Sequence, residues 1–349
     1  MKDVTHPELS KKVYLPEADG IRGLACLIVL LAHAVGFNFQ PHNQYLQGVG
    51  KIGVWLFFCL SSYLLTHQLL FKGLSKKTLI DYSLGRILRI YPPFIIIVFL
   101  YYFFGTAGID NPSDIIKAIS LQQGYVHLWT IPVEFKFYFI LPAFVWGGRI
   151  IYSSFGNRGI LVASLMLTIL HQVVAPYWLL KDSAIETFQY MPAFLFGGVG
   201  AILKFNGLFP KVSEKATTIG ILVILGILVV TPFMRFTLLG LPPTDYLMNK
   251  YLYFSFAWTV FIFSLINSRG LFHQVLTSSL FTKVGHWSYS IYLVHWLIVN
   301  MLIQTFTAGY VSVIAAVAIT PIAGFLMYTL FEQPLFKVRK HILIMFHLR

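Results

Sequence analysis

Apolar stretches of about twenty residues recur along the whole chain of 349 residues, and they restrict its fold more than any other feature. A helix needs about 20 apolar residues to cross a hydrocarbon core of about 30 Å. Only 11% of the residues are charged, against about 25% in soluble domains. The sequence therefore predicts an all-α integral membrane protein with about ten transmembrane helices. The predicted spans are 21–38, 51–71, 90–105, 128–146, 159–177, 187–205, 216–235, 249–267, 286–304 and 311–331.

These spans leave no room for a soluble domain of ordinary size. We expect a cytoplasmic N-terminal segment at 1–20, a transmembrane domain at 21–336 and a cytoplasmic basic tail at 337–349. The first span lacks a small-residue cleavage site, so it is predicted to be a retained helix and not a signal peptide. Cys26 and Cys59 both lie within spans, which argues against a disulfide framework or a CxxC metal site.

The basic residues predict the orientation, because Lys and Arg concentrate in cytoplasmic loops. With the N-terminus inside, 20 of the 26 lysines and arginines lie on the cytoplasmic side, and Lys136 lies within a span. This asymmetry favours ten spans, two cytoplasmic termini and a multi-pass protein of the inner (cytoplasmic) membrane. The net charge of +13 is then explained by topology and contact with anionic lipid headgroups, so no nucleic-acid partner is expected.

Two polar residues interrupt the first span, ADGIRGLACLIVLLAHAVGF. Arg22 and His33 are eleven positions apart, about three helical turns, so they share one face and are separated by about 16 Å along the axis. Arg22 should lie near the cytoplasmic surface and His33 near the middle of the bilayer. A neutral imidazole can take a proton near pH 7, which suits general-base catalysis. Alternatively, Arg22 marks a helix end and His33 bonds a neighbouring carbonyl.

Glu134 lies in the span LWTIPVEFKFYFILP, where Thr130, Glu134 and Tyr138 form a polar stripe at i, i+4 and i+8. Ionisable groups at membrane depth are costly and face the protein interior or a water-filled cavity. Pro132 frees backbone groups that a cavity wall could satisfy. In the alternative interpretation, Glu134 pairs with Lys136 or another cation and joins two helices.

A basic run, KGLSKKTLIDYSLGRILRIYPPF, places Arg86 and Arg89 three residues apart on one predicted helical face. Two neighbouring guanidinium groups suit a ligand that carries phosphate, because each can bind oxyanions through two nitrogens. Ordinary positive-inside charge explains a basic loop equally well.

The segment GHWSYSIYLVHWLIV places Ser288, Tyr292 and His295 at i, i+4 and i+7. His295 could form a hydrogen bond between helices and have no other role. From the residues alone, the chain is a multi-helix membrane protein with a polar interior site. An enzyme and a transporter or flippase of lipid-linked sugars both remain open.

Taken in order, these segments resemble membrane-bound acyltransferase family 3. The family opens with Leu-Asp-Gly-Leu-Arg-Gly and a histidine eleven residues after the arginine, which matches Asp19, Gly20, Arg22, Gly23 and His33 here. Five further segments are similar to the family's motifs in the same order. They are GVWLFFCLSSYLL at 53–65, GRILRIYPPF at 85–94, LWTIPVEFKFYFILP at 128–142, SYSIYLVHW at 288–296 and FEQPLFK at 331–337.

The resemblance implies transfer of an acyl group, usually acetyl from acetyl-CoA, to a hydroxyl of a cell-envelope carbohydrate or lipid-linked glycan. His33 would be the general base or a transient acyl carrier, and Glu134 would orient His33 or bind sugar hydroxyls. Arg22, Arg86 and Arg89 would hold the phosphates of CoA. Ser61, Tyr292 and His295 are weaker candidates for substrate binding. No metal is implied.

Three positions depart from the family pattern. Ser62 replaces a frequent glycine, Gly85 a frequent arginine and Thr130 a frequent serine. We expect Ser62 to reshape the neighbouring pocket, because its side chain occupies space that glycine leaves free. Some members of the family continue into a soluble esterase-like domain. We expect this chain either to act alone or to use a separate extracytoplasmic partner.

Overall fold

The computed structural model describes residues 15–39, 44–180, 184–208, 213–242 and 246–345. Most of the predicted segment 1–20 and the end of the predicted tail 337–349 lie outside these residues. Within them the regular structure is helical. The helices are α1 Pro16–Asn38, α2 Val49–Lys72, α3 Lys76–Phe103, α4 Pro112–Ile119, α5 Thr130–Val174, α6 Met191–Phe205, α7 Glu214–Val229, α8 Pro232–Leu239, α9 Tyr251–Ile266, α10 Gly270–Leu276, α11 Ser279–His286, α12 Ser288–Phe306, α13 Tyr310–Met327 and α14 Gln333–Met345.

All ten predicted spans fall largely on helices, which confirms the all-α class. Among the described residues, six helical segments are long and apolar enough to cross a membrane, and two bent helix pairs raise the number to eight. The count of ten and the location of the termini stay predictions. The six segments are Pro16–Asn38, Val49–Lys72, Lys76–Phe103, Val126–Leu179, Ser288–Phe306 and Tyr310–Met345.

The longest segment, Val126–Leu179, contains two predicted spans, 128–146 and 159–177. Helical geometry is broken inside it at Gly156, where φ is 62° and ψ is −158°. Glycine reaches this region without the penalty that a Cβ would impose. The two predicted spans therefore belong to one long helix that is interrupted at Gly156, and no loop separates them.

The other bent segments also differ from straight spans. The predicted span 216–235 is divided between α7 and α8, which meet at an angle of 80° at Pro232. After α9 the chain turns by 107° into the segment Gly270–His286, which contains α10 and α11. This turn returns α11 to α1, and the two helices pack along each other.

Glycines allow the backbone of α1 to touch its neighbours. A Cβ at Gly23 would lie 2.1 Å from the carbonyl oxygen of Phe281, and a Cβ at Gly285 would lie 1.7 Å from that of Asp19. Small residues permit this close approach. Membrane helices associate through such packing, because lipid tails are as apolar as the side chains and no hydrophobic effect drives the helices together. The glycines of the opening motif therefore serve packing.

Large apolar side chains cover the outer face of the bundle. In the second half of α5, Leu165, Met166 and Val173 are 61%, 65% and 75% exposed. Apolar surface this continuous is unfavourable in water and favourable in hydrocarbon. The chain is therefore a multi-pass membrane protein.

The contact between α2 and α6 generates a stability prediction. A Cβ at Gly197 would lie 2.0 Å from the carbonyl oxygen of Cys59, so Gly197→Ala should force the helices apart and cost about 1–3 kcal/mol. Gly226→Ala is the matched control, because no atom lies within 4 Å of its Cβ position. Thermal unfolding in detergent should show a lower midpoint for Gly197→Ala only. Equal midpoints would contradict the close contact.

Candidate active site

A cavity of about 1230 Å³ lies among α1, α2, α3, α5, α12 and α14. It brings together six of the eight residues that the sequence suggested for the site, whereas His33 and His295 are not among its lining residues. The six lining residues are Arg22, Ser61, Arg86, Arg89, Glu134 and Tyr292.

The arginines line the cavity from two helices. Arg22 Nη1 donates a hydrogen bond to Asp19 Oδ1 at 2.6 Å, so the two charged residues of the opening motif form an ion pair. Arg86 and Arg89 project from α3, which begins at Lys76, well before the predicted span at 90. Both arginines therefore lie on a helix, as their spacing predicted. The predicted span starts later than α3, because hydropathy does not detect helix turns that are rich in polar residues.

Arg86 and Arg89 form no ion pair with a carboxylate among the described residues. Arg86 Nε is buried without a hydrogen-bond partner, and its guanidinium lies 5.8 Å from the ring centre of Tyr138. Burial of an unpaired cation is costly. These groups suit an anion that enters the cavity.

Glu134 is held by hydroxyl groups. Its Oε1 accepts hydrogen bonds from Ser61 Oγ at 2.5 Å and from the hydroxyl of Tyr138. Lys136, the cation of the alternative interpretation, is exposed and forms no ion pair with Glu134 among the described contacts. No hydrogen bond joins Glu134 to His33 either. The carboxylate of Glu134 thus accepts hydrogen bonds from hydroxyl groups, and both of its suggested roles stay predictions.

His33 is part of a histidine cluster that joins α1 to α12. His33 Nδ1 lies 2.9 Å from His295 Nε2, and His295 Nδ1 lies 2.6 Å from the carbonyl oxygen of Tyr292. The hydrogen bond between helices that the sequence allowed for His295 is therefore present. His33 is half-buried and lies five residues, about 7.5 Å, before the end of α1. Its expected position near the middle of the bilayer stays a prediction.

The cluster has a third member that sequence reasoning missed. His127 lies in a short 3-10 turn, Val126–Trp129, and its ring centre is 4.5 Å from that of His295. Its only signal in the sequence is its place directly before an apolar span. Within the described residues, no group of three or more His, Cys, Asp or Glu side chains is arranged to hold a metal ion.

Tyr292 lies between the cavity and the histidine cluster. Its side chain lines the cavity, and its hydroxyl donates to the carbonyl oxygen of His127 at 2.5 Å. The same hydroxyl lies 2.8 Å from Thr130 Oγ1. The ring centre of Tyr292 is 5.5 Å from that of His295. One residue therefore contacts both parts of the site.

Two further cavity residues come from the C-terminal region. Glu332 is buried at the end of a π-helical turn, Tyr328–Glu332, and accepts a hydrogen bond from Ser290. Arg339 of α14 lines the cavity and donates from Nε to Asp81 at 3.1 Å. The basic tail predicted from 337 onward is thus helical as far as Met345 and forms part of the cavity wall.

Two of the three departures from the family pattern, at Ser62 and Gly85, have identifiable local contacts. A Cβ at Gly85 would lie 2.8 Å from the guanidinium carbon of Arg339, so this guanidinium occupies the space of a side chain at 85. Ser62 is fully buried and donates to the carbonyl oxygen of Phe194 at 2.6 Å. It faces α6 and does not line the cavity, so our expectation that Ser62 reshapes the pocket is wrong.

Comparison with known proteins decides the family. The acyltransferase 3 family, described as an acyltransferase domain, matches residues 15–333. The chain belongs to this family. The resemblance of its motifs is thereby confirmed, and in class the chain is an acyltransferase.

Similar proteins in this acyltransferase family include the O-acetyltransferase OatA of Staphylococcus aureus strains NCTC 8325 / PS 47 and COL. Each is 23% identical over an alignment of 360 residues. The alignment covers 93% of this chain and 57% of the relative. The chain therefore spans somewhat more than half the length of these relatives. No solved structure matches it significantly.

The surroundings of Glu134 generate a second stability prediction. Glu134→Ala leaves the hydroxyls of Ser61 and Tyr138 without their shared acceptor, at a cost of about 1–3 kcal/mol. Glu134→Gln keeps an acceptor oxygen and should cost less. Thermal unfolding of both variants in detergent measures the difference. An equal loss in both would show that the acceptor oxygen does not stabilise this contact.

Proposed function

We propose that the chain is a membrane O-acetyltransferase that moves an acetyl group from acetyl-CoA to a hydroxyl of a cell-envelope carbohydrate or lipid-linked glycan. The observation that carries the proposal is a cavity lined by four arginines, Arg22, Arg86, Arg89 and Arg339, in a chain of an acyltransferase family. The O-acetyltransferase relatives support acetyl as the acyl group. We place the protein in the inner membrane, with the arginine end of the cavity facing the cytoplasm.

The arginine end of the cavity has the chemistry that a CoA phosphate requires. Among the described residues no carboxylate lies within ion-pair distance of Arg86 or Arg89, and the Nε donor of Arg86 is unused. Bound acetyl-CoA would supply an acyl carbon that its thioester activates toward attack. Arg22, Arg86 and Arg89 would hold the phosphates, and the apolar wall, including Phe57 and Ile131, would exclude water from the donor arm.

His33 would take the proton of the acceptor hydroxyl. A bond then forms between the acceptor oxygen and the acyl carbon, the carbon–sulfur bond breaks, and the proton passes to the departing thiolate. His33 lies toward the end of α1 opposite to Arg22, so donor and acceptor would approach from opposite ends of the helix. Transient transfer of the acyl group to His33 is the second route.

The family match and the residues of the cavity favour the enzyme over the competing function. A transporter or flippase of lipid-linked sugars would need a polar cavity but no acyl donor, and the family match favours the enzyme. Tyr292, Ser61 and Glu134 offer hydroxyl and carboxylate groups to an acceptor sugar at the inner end of the cavity. A separate extracytoplasmic partner that completes delivery to the envelope is compatible with this arrangement.

Membranes that contain the protein, supplied with radiolabelled acetyl-CoA, test the function. Label should appear in envelope glycan, be released by mild base as acetate, and be absent from membranes without the protein. A transporter would leave the glycan unlabelled, and this result would overturn the proposal.

Arg86 should contribute mainly to donor binding. Since a hydrogen bond to a charged group is worth about 1.5–3 kcal/mol, Arg86→Ala should raise the KM for acetyl-CoA by about tenfold or more and change kcat less. Arg158→Ala, at an exposed arginine outside the cavity, is the matched control and should keep the wild-type KM. An unchanged KM for Arg86→Ala would exclude Arg86 from the donor site.

His33 should be required for chemistry and not for donor binding. His33→Gln should lower kcat by about 10²–10⁴-fold while acetyl-CoA still binds in equilibrium measurements. His341→Gln, at an exposed histidine of α14, serves as control. Incubation with labelled acetyl-CoA without acceptor separates the two routes, because only an acyl carrier would retain label on the protein. Full activity of folded His33→Gln would refute both the general-base route and the acyl-carrier route.

A further inference from the structure

The hydrogen bonds of the histidine cluster determine where its protons lie. His295 Nδ1 is 2.6 Å from the carbonyl oxygen of Tyr292, and a carbonyl oxygen can only accept. His295 Nδ1 must therefore carry a hydrogen. A neutral imidazole has one N–H, so His295 Nε2 presents a lone pair.

The same argument then applies to His33. Its Nδ1 lies 2.9 Å from the lone pair of His295 Nε2, so His33 Nδ1 must be the donor. His33 Nε2 is left with the lone pair, and no hydrogen bond to it occurs among the described residues. We infer that His295, held by the backbone carbonyl of Tyr292, is a positioning residue that fixes His33 in the Nδ1–H tautomer and makes Nε2 the basic atom.

The packing around His33 agrees with this assignment. The planes of His33 and His295 differ by 12°, which suits a hydrogen bond in the plane of both rings. Trp296 meets the His33 ring edge-on at 5.3 Å between centres. His127 packs against His295, but its hydrogen bond goes to the hydroxyl of Tyr101. His127 therefore supports the pair without competing for its protons.

Gly50 keeps the proposed basic atom open. A Cβ at this position would lie 3.3 Å from His33 Nε2, where an incoming hydroxyl would need to approach. Gly50 belongs to the first turn of α2 and does not have a positive φ, so alanine fits the backbone there. The absent side chain thus leaves space at the nitrogen that the hydrogen bonds leave without a proton.

The inference rests on the proposed function, in which His33 Nε2 receives the acceptor's proton and the departing thiolate later takes it. His33 Nδ1 keeps its hydrogen throughout, donated to His295. His295 does not contact a reacting atom. Its effect is to select the tautomer and to hold the ring, as the supporting partner of a catalytic histidine does.

Nitrogen NMR of the full chain, labelled with ¹⁵N-histidine in detergent, tests the assignment directly. The His33 signals are identified by their loss in His33→Gln, and we expect Nδ1 protonated and Nε2 unprotonated. His295→Phe keeps the ring shape without an acceptor and should abolish this preference. His295→Gln offers a side-chain oxygen to His33 Nδ1 and should retain it. A wild-type His33 protonated at Nε2 would overturn the inference.

Kinetics on the same variants supply the second measurement. His295→Phe should lower kcat by about 10²-fold with an unchanged KM for acetyl-CoA, and His295→Gln should recover most of the loss. Gly50→Ala should lower kcat by at least about tenfold, while Gly226→Ala should not. Equal rates for His295→Phe and His295→Gln, with both folded by thermal unfolding, would contradict the positioning role.

The two measurements separate this inference from the proposed function. If His33→Gln abolishes transfer but wild-type His33 carries its proton on Nε2, the tautomer inference fails and the function stands. If the NMR agrees but His33→Gln and His295→Phe transfer acetyl at the wild-type rate, the proposed role of His33 fails and the tautomer assignment stands.

Discussion

Backbone contact on two sides of α1 is the constraint on which the site depends. Gly53 of α2 approaches the carbonyl oxygen of Ala25 so closely that a Cβ would lie 2.6 Å from it, and Gly285 makes a similar contact with Asp19 on the other side. Because α1 is held between these backbones, its position and rotation are fixed. The same helix carries Arg22 and His33, so one packing arrangement places both ends of the proposed reaction.

Unpaired positive charge in the cavity is unfavourable for the stability of the fold. Arg86 lines the cavity with an unpaired Nε and no carboxylate within ion-pair distance among the described residues, although burial of an unpaired charge is unfavourable. By contrast, Arg339 on the same wall is paired with Asp81. This combination of paired and unpaired guanidinium groups supports the proposal that the cavity binds an anionic ligand, because a bound anion would compensate the unpaired groups.

The sequence predicted the features that depend on local pattern or on the cost of burying charge. Apolar length identified the helices, and Glu134 was singled out because charge is rare in a span. Arg86 and Arg89 were singled out because they place two guanidinium groups three residues apart on one helical face. The early start of α3 at Lys76 was missed because its first turns are polar. His127 lay at the edge of a span, where a single histidine has no periodic signal. The pairing of His33 with His295 joins residues 262 positions apart, which no local pattern reveals.

Tyr292 connects the two parts of the site through different atoms. Its hydroxyl belongs to the cavity side, with Thr130 and the carbonyl of His127 as partners, whereas its own carbonyl holds His295. The carbonyl lies three residues before His295 on one helix, so helical geometry itself brings it to Nδ1. A carbonyl oxygen has two lone pairs and can accept this bond in addition to its helical one. The tautomer of His33 therefore depends on the backbone of α12 and on a histidine at 295, and it is independent of which side chain stands at 292.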